Sequence, residues 1–324
     1  AAVVLVAFVI IFVDDVRGGR IITQERSFFG VLRTRVLEDP DDPHIPALRV
    51  LLHGTTIHGA QIVAPVLSRQ PLTYYNPHTA LGEAILAGLS TGETSSLALI
   101  GMGAGATSCL MRPDDHLTIF EIDPNVVRLS DSPQGDFTYI PQCMPNARVV
   151  LGDARLQIAN EPDGEFDVIV VDAFTSDAIP AHLLTREAIA LYLRKTSARG
   201  IVVLHLSNRN LALVSEAARV ARDLHAPTFY YISDRVNVQN ASMFGGLPAS
   251  VMIVARSPDI LAHLPLHSPW RVITAPPGRG WTDDYIALPR ALWENLNGSE
   301  ECLIYPYLRH CRVAQPNAAA PASP

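Results

Sequence analysis

Four short stretches of this sequence carry residues able to hold and transform a small molecule, and they recur at regular intervals. Gly101-Met102-Gly103-Ala104-Gly105 follows the apolar run Leu97–Ile100 and precedes a predicted helix. Glycines in a strand-to-helix turn permit a tight bend and a close approach of backbone to a ligand. Twenty residues after Gly101, Glu121 ends the next apolar run, in Phe120-Glu121-Ile122-Asp123. A carboxylate there offers two oxygens to the hydroxyls of a ribose. These two features alone also suit a dinucleotide, because Gly101-x-Gly103-x-x-Ala106 fits that fingerprint. The third stretch separates the two readings. Gly152-Asp153-Ala154 ends a third run, and Asp153 is placed to accept from an adenine amino group, for which a nicotinamide domain has no equivalent need. The alternative for Asp153 is a helix N-cap. The fourth stretch puts Asp172 at the end of Phe166–Val171 and Asp177 on the loop beyond. Two carboxylates there suit a cationic substrate and its proton, with a helix cap as the alternative for Asp177.

The elements that must position these groups follow from hydrophobic patterning. Leu97–Ile100, Leu117–Ile122, Val149–Leu151, Phe166–Val171 and Ile201–Leu206 are short continuous apolar runs, as expected of strands buried on both faces of a parallel sheet. Helical stretches separate them, at Asn125–Ser130, Ala154–Ala159, Ala181–Leu193 and Leu211–Leu224. The alternation predicts an α/β fold with a doubly wound, mostly parallel sheet. Thr228–Ile232 and Val251–Ala255 are candidate later strands. Before this region, Gly30–Leu37 and Leu48–Leu52 flank the break Asp39-Pro40-Asp41-Asp42-Pro43 and predict a small antiparallel β unit. Leu81, Ile85 and Leu89 predict a helix over Pro77–Leu89. The expected organisation is an apolar segment over 1–17, a small β domain over 18–75, a nucleoside-binding domain over 76–313 and a disordered Ala- and Pro-rich tail over 314–324.

The chain has 324 residues and a formal net charge of −7, which disfavours broad nucleic-acid binding. Ala1–Val13 is uncharged and apolar, whereas a spanning helix needs about 20 residues. The segment reads as the end of a membrane helix, with a buried strand or helix as the alternative. A membrane-anchored protein with its catalytic domain in the cytoplasm follows from the first reading. The four cysteines, Cys109, Cys143, Cys302 and Cys311, lack zinc spacing and read as free thiols. A Cys302–Cys311 disulfide is the alternative. His53, His58, His182 and His205 have no metal-like spacing, and no metal is expected. Asp283-Asp284 reads as a solvated turn or a substrate-facing lid.

In order and spacing, Gly101–Gly105, Glu121-Ile122-Asp123, Gly152-Asp153-Ala154 and Asp172–Glu187 resemble the spermidine synthases, the polyamine aminopropyltransferases. Ser27-Phe28-Phe29-Gly30, Leu51–Gly54 and Tyr74-Tyr75-Asn76 are similar to that family's N-terminal β domain and the entry to its helix. The resemblance covers roughly Ile21–Ala255. The apolar start and Trp281–Tyr285 are closer to bacterial spermidine-synthase-like proteins fused behind membrane helices. The resemblance implies a methyltransferase-type Rossmann-like domain behind a small β domain. It also implies transfer of an aminopropyl group from decarboxylated S-adenosylmethionine to an amine such as putrescine. Gly101, Gly103 and Gly105 would lie under the thioether side of the nucleoside. Glu121 with Ile122 would take the ribose, and Asp153 with the Ala154 backbone the adenine. Asp172 would be the catalytic Asp, Tyr75 would line the amine site with Asp177 beyond it, and His58 stands where the family usually has Gln near the cofactor. The chain departs from the family in Ala104, where an Asp is usual, in Asn76, where a His is usual, and in having no Pro after Asp177. Two other readings stay open: a methyltransferase using intact S-adenosylmethionine, and a non-catalytic ligand-sensing tail of a membrane protein. The oligomeric state stays open too, with a homodimer among the options.

Overall fold

The structure, a computed structural model, describes residues 19–38, 44–54, 56–173, 180–234 and 245–300. The expected apolar segment and tail, the Asp39–Pro43 break, Asp177, Cys302 and Cys311 lie outside the described residues.

Two sheets organise the chain. The first is antiparallel, with strands β1 (Arg20–Ser27), β2 (Gly30–Leu37), β3 (Leu48–His53) and β4 (Thr56–Ile62) in sequential order. Patterning located β2 and β3 but not their neighbours. β1 (RIITQERS) is a largely solvated edge strand whose charges blur the alternation. In β4 the register shifts opposite Leu51/Leu52, so its side chains do not follow a simple period of two. Leu48, Val50, Leu52, Ala60, Ile62 and Leu72 form this sheet's own core.

The second sheet has seven strands: β5 (Ser96–Ile100), β6 (His116–Glu121), β7 (Arg148–Leu151), β8 (Phe166–Val171), β9 (Thr196–His205), β10 (Thr228–Ser233) and β11 (Ala249–Val254). Their spatial order is β10-β11-β9-β8-β5-β6-β7. The first five are parallel, and β11 pairs antiparallel with both β9 and β10. This is the doubly wound, mostly parallel sheet that the patterning predicts. Successive residues face opposite layers. Leu97 and Leu99 of β5, with Val168 and Val170 of β8, pack into one layer. Ala98 and Ile100, with Ile169 and Val171, pack into the other.

Helix α1 (Ala80–Leu89) covers one face and is capped by Thr79, whose side chain accepts from Gly82 N. Along the chain follow α2 (Pro124–Ser130), α3 (Tyr139–Cys143), α4 (Ala154–Ala159), α5 (Arg186–Lys195), α6 (Leu213–Asp223), α7 (Pro258–Ala262) and α8 (Leu288–Leu296). The helix expected over Ala181–Leu193 is two pieces. Ala181–Leu183 is a 3-10 turn, and Thr185 caps α5 by accepting from Ala188 N.

Two expectations are corrected. Cys109 and Cys143 are not free thiols but form a disulfide, tying the turn after β5 to the end of α3. The membrane-anchored reading is corrected to what the structure describes: among the described residues no helix is long and apolar enough to cross a membrane.

The small sheet is fixed over the large one by specific bonds. Gln61 and Thr138 exchange hydrogen bonds of 2.9 and 3.0 Å, and the Tyr139 hydroxyl donates to Ala60 O at 2.8 Å. The Ser27 hydroxyl donates to Asp123 Oδ2 at 2.6 Å.

Candidate active site

Register places the chemistry-bearing residues together. Ile100 pairs with Phe120 on one side and Val171 on the other, Glu121 with Leu151, and Val171 with Leu204. The ladder continues past the strand ends: Gly101 N donates to Phe120 O, Asp172 N to Ile100 O and Gly152 N to Glu121 O, all within 2.8–2.9 Å. Gly101, Glu121, Gly152, Asp172 and His205 therefore share one carboxyl edge. Strand order reverses at β5, which is where open α/β sheets bind ligands. A cavity lies there, roofed by Phe29, Leu32, Leu51, His53 and His58 of the small sheet.

Gly101 and Gly103 show why the turn needs glycine. Both have positive φ, +94° and +53°. A Cβ on Gly101 would stand 2.4 Å from Asp172 O, and one on Gly103 2.6 Å from His58 O. Both line the cavity, and Gly105 is not among its lining residues. Ala104 is buried and faces Gly59 of the small sheet.

Glu121 is buried and held by backbone alone. Oε2 accepts from Met102 N at 2.8 Å, and Oε1 accepts from Ile122 N and Asp123 N at 2.7 and 2.8 Å. Burial pushes its carboxyl above the ordinary carboxylate value, against the pull of the three N–H groups. Three of a carboxylate's roughly four lone-pair sites are already used. A ligand hydroxyl therefore meets one free direction, rather than the two open oxygens the sequence suggests.

Asp153 takes the capping role and also borders the cavity. It caps α4, Oδ1 accepting from Leu156 N at 3.1 Å, and it lines the cavity. Its Oδ2 lies 3.1 Å from His182 Nε2 at the cavity's outer edge. Ile122, Ala154 and His58 also line the cavity.

Asp172 is held by side chains from distant parts of the chain. The Tyr75 hydroxyl donates to Oδ2, and His205 Nδ1 lies 2.6 Å from Oδ1. His205 Nε2 lies 2.8 Å from the Ser207 hydroxyl, which also accepts from Ser250 N at 2.9 Å. Tyr74 packs on the His205 ring, with centroids 4.6 Å apart. Burial first, and the Asp172 charge second, push both tyrosine hydroxyls well above the ordinary phenol value, so both stay protonated. Tyr75 sits on a 3-10 turn, Thr73–Tyr75, that opens with Thr73 at φ +60°. A β-branched residue in that region is strained, and the neighbours hold it there. Thr73 O accepts from Asn76 N and Leu247 N.

All four histidines that lack metal-like spacing border this region. His53, His58 and His182 line the cavity, and His205 binds Asp172. Metal spacing was an uninformative criterion for them. His205 carried a usable signal, since it ends the fifth parallel strand on the same edge as Asp172. Asp283 and Asp284 sit on an exposed turn between the paired Thr282 and Tyr285, and Asp283 makes contacts from it. Its carboxylate takes Arg155 in two hydrogen bonds of 2.7 and 2.6 Å and the Thr185 hydroxyl at 2.8 Å, clipping the C-terminal part to α4 and α5.

No protein-family model matches the chain. A polyamine aminopropyltransferase from Vibrio vulnificus (strain CMCP6) is 34% identical over 110 residues, 32% of this chain and 35% of that protein. The match thus spans about a third of that relative's length. A probable spermidine synthase from Corynebacterium glutamicum ATCC 13032 superposes with a TM-score of 0.57 at 15% identity, covering 84% of this chain and 98% of that one. Spermidine synthase from Thermotoga maritima gives 0.53 at 14% identity, over 87% of each chain. The likeness to spermidine synthases read from the motifs is thus found again, in a sequence relative and in the fold of both sheets together.

Proposed function

We propose that this chain is a transferase that moves an aminopropyl group from decarboxylated S-adenosylmethionine to a small amine such as putrescine. One observation carries the reading. Asp172 stands at the cavity wall beside the glycine turn, its two oxygens oriented by Tyr75 and His205, with Glu121 and Asp153 along the same edge. The sequence relative and the shared fold support it.

In this reading Glu121, with Ile122 beside it, takes one ribose hydroxyl in its remaining lone-pair direction. Asp153 and the Ala154 backbone face the adenine, whose amino group shares Asp153 with His182. Gly101 and Gly103 lie under the sulfur, Gly105 shapes the turn behind them, and His58 closes the roof. Asp172 receives the amine and Tyr75 fixes its carboxylate, while Asp177 is assigned to the acceptor by resemblance alone. The amine nitrogen attacks the carbon beside the sulfonium. An N–C bond forms, the C–S bond breaks with its electron pair going to sulfur, and the amine proton passes to Asp172. An ordinary amine with a pKa near 10.4 is mostly charged at neutral pH, so a carboxylate that attracts it and then takes its proton meets both needs. Positioning supplies much of the rate.

The test is a product assay. Putrescine and decarboxylated S-adenosylmethionine should yield spermidine and methylthioadenosine in equal amounts. Absence of both products, or methyl transfer from intact S-adenosylmethionine instead, would overturn the proposal.

A further inference from the structure

We infer that Asp283, on the C-terminal turn, is a positioning residue for the base of the bound nucleoside. Acting through Arg155 and His182, it sets the Asp153 carboxylate for a 6-amino purine. This deepens the proposed function and rests on it for the class of ligand.

Three segments far apart in sequence meet at that end of the cavity. Asp153 and Arg155 stand where β7 passes into α4, His182 and Thr185 on the turn before α5, and Asp283 between Thr282 and Tyr285. Of these residues, Asp153 and His182 line the cavity. Asp283 holds the other two segments at once. Its two oxygens take the Arg155 guanidinium at 2.7 and 2.6 Å, and Oδ1 also accepts from the Thr185 hydroxyl at 2.8 Å. A planar guanidinium gripped by both oxygens of one carboxylate has its direction fixed. Arg155 Nη1 also donates to His182 O at 3.1 Å, which ties the His182 backbone to the first turn of α4. The turn that carries Asp283 is itself anchored on α5. Arg186 N donates to Trp281 O at 2.8 Å, Asp283 N donates to Glu187 Oε2 at 3.1 Å, and Trp281 is buried.

The consequence falls on Asp153. Oδ1 accepts from Leu156 N at 3.1 Å, and Oδ2 lies 3.1 Å from His182 Nε2. One contact comes from the helix that Asp153 caps, the other from a separate segment. The plane of the carboxylate is therefore set only while that segment stays in place. The Asp153 and His182 side chains are 29% and 48% exposed, too open for packing alone to hold them. The Arg155 tie to the His182 backbone supplies what burial does not. Each Asp153 oxygen keeps a lone pair for a ligand. A carboxylate offers only acceptors, which suits the amino group of adenine and opposes the carbonyl oxygen of a 6-oxo purine. An oxygen oriented in advance lowers the ordering cost of binding, so loosening the clip should weaken the amino base selectively.

Calorimetry with methylthioadenosine and methylthioinosine, which differ in that one group of the base, tests the inference. The unmodified protein should bind the amino base at least about 10-fold more tightly, the scale of one hydrogen bond. In Asp283→Ala and in Arg155→Ala, each folded by circular dichroism, the preference should fall by about threefold or more, with the loss on the amino base. His182→Ala should show the same fall, and adding Asp283→Ala to it should change nothing further, because both act through one contact. A loss shared equally by the two nucleosides would overturn the inference, since it marks a merely structural role. Effects that multiply in the double variant would overturn it too, as would an unmodified protein that binds neither nucleoside or both alike. In the product assay, Asp283→Ala should raise the donor KM by about threefold or more and leave kcat within about twofold. No spermidine from the unmodified protein, with the binding pattern intact, would sink the transfer reading and leave this inference standing. Spermidine formed by a protein that does not discriminate the two bases would do the reverse.

Discussion

The two carboxylates at either end of the cavity are held by opposite means. Glu121 is fixed by three backbone N–H groups from residues 102, 122 and 123, all set by one turn and one strand end. Asp172 is fixed by a tyrosine 97 residues away and a histidine 33 residues away. The first arrangement follows once the strand-turn-helix unit folds. The second exists only after the turn before α1 and β9 have both docked. In the proposed function, a locally built nucleoside end is thus joined to a reactive end assembled from distant side chains, and the two should fail separately.

The largest expected effect breaks the reactive end alone. Asp172→Asn should cut aminopropyl transfer by roughly 100- to 10,000-fold in steady-state assays, with the fold intact by circular dichroism. At the other end, the Cys109–Cys143 bond closes a loop of 34 residues just beyond the glycine turn. Replacing both cysteines by Ala should lower unfolding stability by about 3 kcal/mol in a denaturant titration, a loss that concerns only the nucleoside side.

Next in size is Glu121→Gln, which leaves at least one buried N–H facing an amide NH2. Stability should fall by about 1–3 kcal/mol, measured by urea unfolding. The same variant sharpens the pH argument. Burial raises the folded-state pKa of Glu121 above its ordinary 4.5. Its contribution to stability is therefore full below about that pH and is lost as pH rises through the folded-state value. A stability profile of the unmodified protein should decline over that window, and the decline should flatten in Glu121→Gln.

The smaller effects probe what supports each end. Thr73→Gly relieves a positive φ beneath Tyr75 and should raise stability by about 1 kcal/mol in thermal unfolding. Asp283→Asn breaks the Arg155 clip, a partly exposed pair, and should cost at most about 1 kcal/mol. Arg155 holds the Asp283 carboxyl below the ordinary range. That contribution is present above the ordinary carboxylate pKa and is lost as pH falls below it.

The same contrast explains what could be read in the sequence. Glycine spacing, the Glu121 interval and the five apolar runs are local patterns, and they gave the parallel sheet, its edge and the Gly101, Gly103 and Glu121 lining of the cavity. The pairing of Tyr75 and His205 on Asp172 is a product of tertiary docking, and no interval along the chain encodes it. For that reason the sequence says of His205 only that it lacks metal-like spacing, and β1 and β4 escaped notice because an edge strand and a bulged strand lack clean alternation. Asp153 shows a different limit. Local sequence allowed a cap or a ligand contact, and the side chain makes the cap while lining the cavity.

One titration tests the separation of the two ends most directly: calorimetry with methylthioadenosine on the unmodified protein, Asp172→Asn and Glu121→Ala. The nucleoside should bind the first two with equal affinity and the third at least about 10-fold more weakly. Equal weakening in Asp172→Asn and Glu121→Ala, or binding indifferent to Glu121, would contradict the account.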